Sequence, residues 1–235
     1  MTQLSVVIPA LNEAARLPET LAQVQAASAT VALEIILADG GSTDATVAIA
    51  AAHGVTVVTA PRGRAQQMNA GAAAATGKIL LFLHADARLP EDYADWVVKI
   101  LAQPGVIAGA FELAIAAHDW RFRWLETTVR WRSRYLQKPY GDQALFLRAA
   151  TFRDLGGFLP LPIMEDYELV QRLRRRGRVA IAPRAVQVSS RRWQKLGLIR
   201  TTVINQLMVL GYHLGIPPAR LARLYYGRPP QRQRK

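Results

Sequence analysis

Leu80-Leu81-Phe82-Leu83-His84-Ala85-Asp86 decides the reading of this chain. Four large apolar residues lead straight into a polar tripeptide that ends in a carboxylate. An unbroken apolar run of this length, closed by polar residues, predicts a parallel strand buried on both faces. Asp86 then stands at the carboxyl end of the strand, the edge at which open α/β sheets hold their ligands. A carboxylate there can hold a divalent cation, and the cation a diphosphate. Asp is also a common turn residue, so Asp86 can equally open a turn ahead of Arg88-Leu89-Pro90.

The flanking sequence repeats the theme. Residues 5–9 are a β-branched run ended by Pro9, and 34–38, 55–59 and 78–83 read as three further strands. Helix signals separate them. Pro18 and Glu19 mark a first turn, an alanine-rich stretch runs from about Thr43 to Gly54, and 64–76 is helical by composition with Gly77 as its stop. This alternation predicts right-handed βαβ units around a mostly parallel sheet. After about residue 105 the pattern changes, to strands over 106–113, 144–147 and 179–181 and helices over 119–135, 195–214 and 217–225. Residues 228–235 read as a disordered basic tail.

At 235 residues and 51% hydrophobic, the chain has ample material for a core. It has no cysteine, which excludes disulfides and thiolate metal sites. The N-terminus lacks a basic region and Pro9 interrupts the apolar run after it, so no signal peptide is expected. Residues 196–216 are the nearest approach to a membrane span. They contain Arg200, Asn205, Gln206 and His213. A charge at bilayer depth costs roughly 2.5–3.5 kcal/mol, so the stretch reads as an amphipathic helix. Residues 1–118 carry 6 Lys and Arg against 10 Asp and Glu; residues 119–235 carry 24 against 7. So basic a half points to nucleic acid, an anionic membrane or a phosphorylated ligand, or is simply a soluble basic surface. No nucleic-acid motif accompanies the charge, so no nucleic-acid partner is expected.

Four loops follow predicted strands and should converge on one edge: Pro9-Ala10-Leu11-Asn12-Glu13, Asp39-Gly40-Gly41-Ser42-Thr43-Asp44, Arg62-Gly63-Arg64 and His84-Ala85-Asp86. Neither a GxGxxG fingerprint nor a GxxxxGK[ST] loop is present, which disfavours a dehydrogenase and a P-loop NTPase. A metal bridge is then the expected hold on a diphosphate. Met164-Glu165-Asp166 closes a Gly-, Pro- and Leu-rich loop ahead of a helix, where Asp166 can serve chemistry or cap the helix. Other polar residues have structural readings. Asp44 and His53 suit helix ends, and Glu168 with Arg172 suits a weak surface pair worth roughly 0.3–0.5 kcal/mol. Arg172 and Arg174–Arg176 suit a solvated basic face. Trp120, Trp124 and Trp131 share one helix face, which suits core packing, an interface or a stacked sugar.

The opening motif of residues 5–13, the Ala38–Asp44 loop, Arg64 with Asn69-Ala70-Gly71, Leu83–Asp86 and Met164–Leu169 together resemble family-2 glycosyltransferases of the GT-A fold, over about residues 4–176. Within that family the chain resembles the small soluble subgroup described as transferase 2, selenodomain-associated. The resemblance implies an inverting transferase that takes a nucleotide-diphosphate sugar. It implies a nucleotide-sugar pocket from Pro9, Ala10, Leu11, Glu13, Asp39, Gly40, Arg64, His84 and Ala85. Asp86 would hold a divalent cation, Mn or Mg, and Asp166 of the Glu165-Asp166 pair would be the general base. Asp39, Asp86 and Asp166 would gather around the ion and its diphosphate. Two departures stand out. Many relatives have an Asp pair where this chain has Asp39-Gly40, and His84 replaces the first Asp of the DxD motif. Ser189-Ser190-Arg191-Arg192-Trp193 partly matches the QxxRW motif of processive relatives.

The expected organisation is a GT-A-like catalytic domain over 1–190, a helical extension over 191–227 and the tail over 228–235. The acceptor is an unidentified hydroxyl compound, with a lipid-linked one as an option. The chain is expected in the cytoplasm, with peripheral contact at the inner face of the membrane through its basic half. A nucleotidyltransferase of related fold is the alternative enzyme. It would be expected to carry a glycine-rich, lysine-containing loop near the N-terminus, and residues 9–13 lack one. A basic nucleic-acid-binding protein is the alternative from another class.

Overall fold

Four strands, β1 (Leu4–Ala10), β2 (Leu33–Asp39), β3 (Thr56–Thr59) and β4 (Ile79–Phe82), run parallel in the order β3-β2-β1-β4. They come from a computed structural model, which describes residues 4–26, 31–117, 119–190, 193–194 and 197–227. The expected tail over 228–235, Arg191-Arg192 and the expected helix start at Lys195 lie outside the described residues. Four more strands extend the sheet: β5 (Ala87–Arg88), β6 (Val106–Ala116), β7 (Phe146–Arg148) and β8 (Arg178–Ser189). Its full order among the described residues is β3-β2-β1-β4-β7-β6-β8-β5. β7 runs antiparallel to both β4 and β6, β8 lies parallel to β6, and β5 lies antiparallel to β8.

The apolar runs alternate between two cores because side chains on a strand point to opposite faces. Val6, Ile8, Leu81 and Leu83 enter one core. Val7, Ile36, Leu80 and Phe82 enter the other. The first core is covered by α1 (Leu17–Ala26), α4 (Tyr93–Leu101) and α5 (Trp120–Tyr135), with α2 (Thr46–Ala52) beside α1. The second is covered by α3 (Arg64–Ala74), α6 (Ala149–Asp154) and α7 (Glu165–Arg174). Two last helices, α8 (Leu198–His213) and α9 (Pro218–Tyr226), form a third cluster with Ile163, Met164 and Tyr167. No helix among the described residues is long and apolar enough to cross a membrane.

Several expectations need correction. Gly77 does not stop α3, which ends in extended backbone at Ala75. Gly77 instead lets the chain pass against β1, where a Cβ would come within 2.5 Å of Ser5 Oγ. The strand expected over 179–181 is twelve residues long. It pairs with β6 and bulges where Phe111 faces Ala182 but Glu112 faces Ala185. Pro183, which has no N–H to donate, lies in that bulge. Trp120, Trp124 and Trp131 are more than half exposed and form no part of the core. Arg172 and Glu168 do not form a surface pair. Both are mostly buried, and Arg172 also donates to the carbonyls of Leu155 and Gly157 at 2.5 and 2.7 Å. That fastens the loop before α7 to the helix and removes Arg172 from the solvated basic face.

Candidate active site

The carboxyl edge of the parallel strands carries the site. Its first part is the pair of loops after β1 and β2, which are laced together. Asn12, at φ 56°, accepts from Thr43 N–H at 2.8 Å and donates its own N–H to Ser42 Oγ at 2.9 Å. Glu13 N–H donates to Thr46 Oγ1, and Ala14 N–H to Asp44, which also takes Thr46 N–H at the start of α2. Asp39 is buried, and its carboxylate accepts from Gly41 and Ser42 N–H at 3.0–3.2 Å. Carboxylate oxygens have about four lone-pair sites, which leaves capacity for a ligand hydroxyl. From α3, buried Gln67 donates to the carbonyls of Ala10 and Ala38 at 2.7 and 2.9 Å. Gly40 keeps this contact close, since a Cβ there would stand 3.0 Å from the Gln67 amide and press on it.

The second part follows β4. Asp86 is one-third exposed, with Oδ2 3.9 Å from Arg16 Nη1. A cavity of about 280 Å³ opens beside it, lined also by Thr20, Arg88, Gln187 and Ser189. Burial, then the charge of Asp86, raises the Glu13 carboxyl, so the β1 loop and the end of β4 meet. Burial, and then the Arg64 guanidinium, push the His84 imidazole down to about 3, so His84 is neutral at ordinary pH.

The third part is the start of α7. Met164 adopts the left-handed conformation (φ 70°) and turns the chain so that Glu165 and Asp166 open the helix. Glu165 is buried, 3.6 Å from Arg64 Nη1. Burial, and then the adjacent Asp166 charge, raise its carboxyl to about 7, and Arg64 offsets only part of this. Asp166 does not cap α7 from the N-cap position, which Met164 occupies. It accepts the Gly141 N–H at 2.6 Å and the Tyr167 N–H at 2.7 Å.

Gly141-Asp142-Gln143 was not among the expected site residues. It forms a 3-10 turn just before β7. Because β7 is antiparallel to β4, the chain entering it lies at the same edge as the chain leaving β4. Phe82 N–H accordingly donates to Leu145 O at 2.9 Å. Gln143 locks the turn: it donates to Phe111 O and accepts from Ser133 Oγ and Arg132. The Arg132 guanidinium lies over the Tyr140 ring, 3.5 Å from its centroid. Burial, then the partly compensating charge of Arg132 and the charge of Asp166, leave the Asp142 carboxyl raised, and its Oδ1 has no hydrogen-bond partner. The signal for this turn was an acid directly before a buried strand, a rule applied only to strand ends.

The expected residues thus fall along one edge in three groups. Asp39 ends β2, whereas Asp86 comes after β4, two places along the sheet, in the turn directly ahead of β5. Among the described residues no three His, Asp or Glu side chains are arranged to enclose an ion. Along this edge the Arg64 guanidinium links His84 to Glu165.

Comparison with known proteins bears on this edge. The chain is 32% identical over 133 residues to an uncharacterized glycosyltransferase of Mycobacterium tuberculosis; the match covers 55% of this chain and 59% of that protein. It is 29% identical over 217 residues to a PGL/p-HBAD biosynthesis glycosyltransferase of the same organism, covering 86% and 80%. Glucosyl-3-phosphoglycerate synthase from M. tuberculosis, solved with Mn2+, UDP and glucosyl-3-phosphoglycerate, superimposes with a TM-score of 0.66 at 23% identity over 92% of this chain and 81% of that one. A mannosyltransferase from Pyrobaculum calidifontis, solved with GDP-Man and Mn2+, gives 0.61 at 21% over 80% and 56%. Both share the GT-A fold seen here. The family model described as Glycosyl transferase family 2 matches residues 5–153, and the chain belongs to that family.

Proposed function

We propose that this chain moves a sugar from a nucleotide-diphosphate sugar to a hydroxyl acceptor, with inversion at the anomeric carbon. The observation that carries the reading is the position of Arg64. It stands 3.6 Å from Glu165, and its charge reaches His84 and Asp166, so the loop ending in Asp86 and the acids opening α7 face one space. The contents of the solved neighbours support it, since they hold UDP or GDP-Man with Mn2+.

Pro9, Ala10, Leu11, Glu13, Asp39 and Gly40 would line the nucleoside, and Arg64, His84 and Ala85 the diphosphate. In the transfer, the acceptor oxygen bonds to the anomeric carbon as the bond from that carbon to the diphosphate oxygen breaks. The bonding pair leaves with the diphosphate. Attack from the opposite face inverts the centre. Asp166, oriented by the Gly141 N–H, takes the acceptor proton. Glu165, buried against Arg64, holds that guanidinium toward the leaving group.

The donor chemistry fits a hard cation such as Mn2+ or Mg2+. One partly exposed carboxylate, Asp86, is the sparse protein share such ions use when substrate phosphates and waters complete the shell. When bound, the ion would offset charge building on the leaving diphosphate. In this reading residues 1–190 perform the transfer and 191–227 are an accessory extension. The test is Asp86→Ala, assayed for nucleotide release from a panel of nucleotide sugars with Mn2+ or Mg2+ present. A loss of about 100-fold or more is expected. Undiminished release with the full metal series overturns the metal role of Asp86.

A further inference from the structure

α8 and α9 have two opposed faces. The inner one packs on the catalytic edge. Thr201, Met208 and Gly211 of α8 and Leu221 and Ala222 of α9 are buried, and a Cβ at Gly211 would come within 2.8 Å of Leu221, so the helices cross closely. Met208, Leu221 and Ala222 join Ile163, Met164 and Tyr167, the residues around the start of α7. The Tyr167 hydroxyl lies 2.6 Å from His213 Nε2.

The outer face is apolar and open. Ile199, Val203, Leu207, Leu210 and Leu214 lie on a single stripe of α8 and its C-terminal flank, at spacings of four, four, three and four. Each is between 49 and 78% exposed, and Leu224 of α9 adds to them. The charge in this part of the sequence is of one sign. Residues 169–235 contain 16 Lys and Arg and no Asp or Glu. Arg175, Arg176, Arg200, Arg220 and Arg223 are all exposed.

From this combination we infer that the α8–α9 hairpin docks in the headgroup region of an anionic membrane. An exposed aliphatic stripe on two helices that carry exposed arginines and no acid of their own matches a surface of apolar tails under negative headgroups. A second copy of the chain fits less well, because its matching face would bring arginine to arginine. A nucleic acid offers no partner for five exposed aliphatic side chains. The hairpin's inner face reaches Tyr167 beside Asp166, so docking sets the catalytic edge next to the lipid surface. That the acceptor is itself membrane-borne rests on the transfer reading above; the docking does not.

The full chain is tested by co-sedimentation with phosphatidylcholine vesicles, with and without phosphatidylglycerol, at low and high salt. Binding should require phosphatidylglycerol and be released by salt. Leu207→Glu with Leu210→Glu should weaken it by about tenfold or more, because the stripe can no longer enter the interface. Both positions are exposed, and an unchanged melting temperature and nucleotide affinity confirm that the variant is folded. Absence of binding to anionic vesicles at low salt overturns the proposal. So does binding that the double variant leaves intact, or a wild-type dimer without vesicle affinity that the double variant converts to monomer. None of these outcomes touches nucleotide release, so docking and transfer fail separately.

Discussion

The two ends of the candidate site are built in opposite ways. Around β1 and β2 the polar groups have partners: Asp39, Asn12, Asp44 and Gln67 spend their oxygens and amides on backbone N–H and C=O of adjacent loops. Around α7 the groups are acids, Glu165 buried and Asp142 and Asp166 half-buried, and they are incompletely matched. Glu165 and Asp166 are neighbours of like sign, Asp142 leaves an oxygen unpartnered, and Met164 and Ala144 both stand in the left-handed region. Conformations of this kind cost about 1–3 kcal/mol each and persist where the surroundings impose them. The difference suits the proposed roles. A nucleoside needs a rigid, satisfied frame, and proton transfer needs a carboxylate whose charge state is poised.

The comparison is broken most directly at Asp166. Asp166→Asn keeps the shape and removes the base, so turnover should fall by about 1,000-fold, within the 100- to 10,000-fold range of acid–base catalysis. Nucleotide affinity, measured by thermal shift, should hold. Turnover within tenfold of wild type would move the base elsewhere. Gly141→Ala attacks the same carboxylate by displacement. The added Cβ would stand 2.8 Å from Asp166 Oδ2, and Gly141 lies outside the left-handed region, so the effect is one of position alone. A shift near 1 Å costs on the order of 100-fold. A loss of that size in kcat with KM for the donor unchanged is expected. An unchanged kcat would show that Asp166 need not stay where Gly141 holds it.

The satisfied end should respond in stability before chemistry. Gln67→Leu fills similar space but leaves the Ala10 and Ala38 carbonyls without their donor. Each orphaned group costs roughly 1–3 kcal/mol. Denaturant unfolding should show that loss. Nucleotide affinity should weaken, while kcat at saturating donor stays near wild type. A kcat loss as large as that of Gly141→Ala would erase the distinction between the two ends.

How much could be read in advance follows the same divide. The parallel half was legible because each strand is a short apolar run and each site residue closes one, from Pro9 to Asp39 to Asp86. Glu165 and Asp166 stood out as an acid pair before a helix. What sequence spacing did not carry was pairing. The antiparallel direction of β7 places Asp142 at the edge, and no local pattern announces it. The twelve-residue span of β8 was hidden by Pro183 and Arg184, which interrupt its alternation at the bulge. Arg172 looked like one of a basic run, and only the fold reveals the carbonyls it holds.

The smallest expected effect concerns pH and tests whether the raised Glu165 carboxyl matters to transfer. Burial, and then the charge of Asp166, keep a proton on Glu165 up to about 7. In the proposed reading Glu165 holds Arg64 as a carboxylate, so kcat should rise with pH through about 7. Glu165→Gln removes that titration, so the rise should disappear, even as the lost contact with Arg64 lowers the plateau. The sign for stability is fixed independently. A carboxyl raised from its ordinary 4.5 to about 7 keeps its proton in the folded chain while the unfolded chain has released it. The folded state therefore binds more protons between those values, and stability falls as pH rises across that window and levels off above it. In Glu165→Gln that decline should flatten. A rise in kcat that persists through about 7 while the stability slope flattens would mean that the charge state of Glu165 governs stability and not transfer.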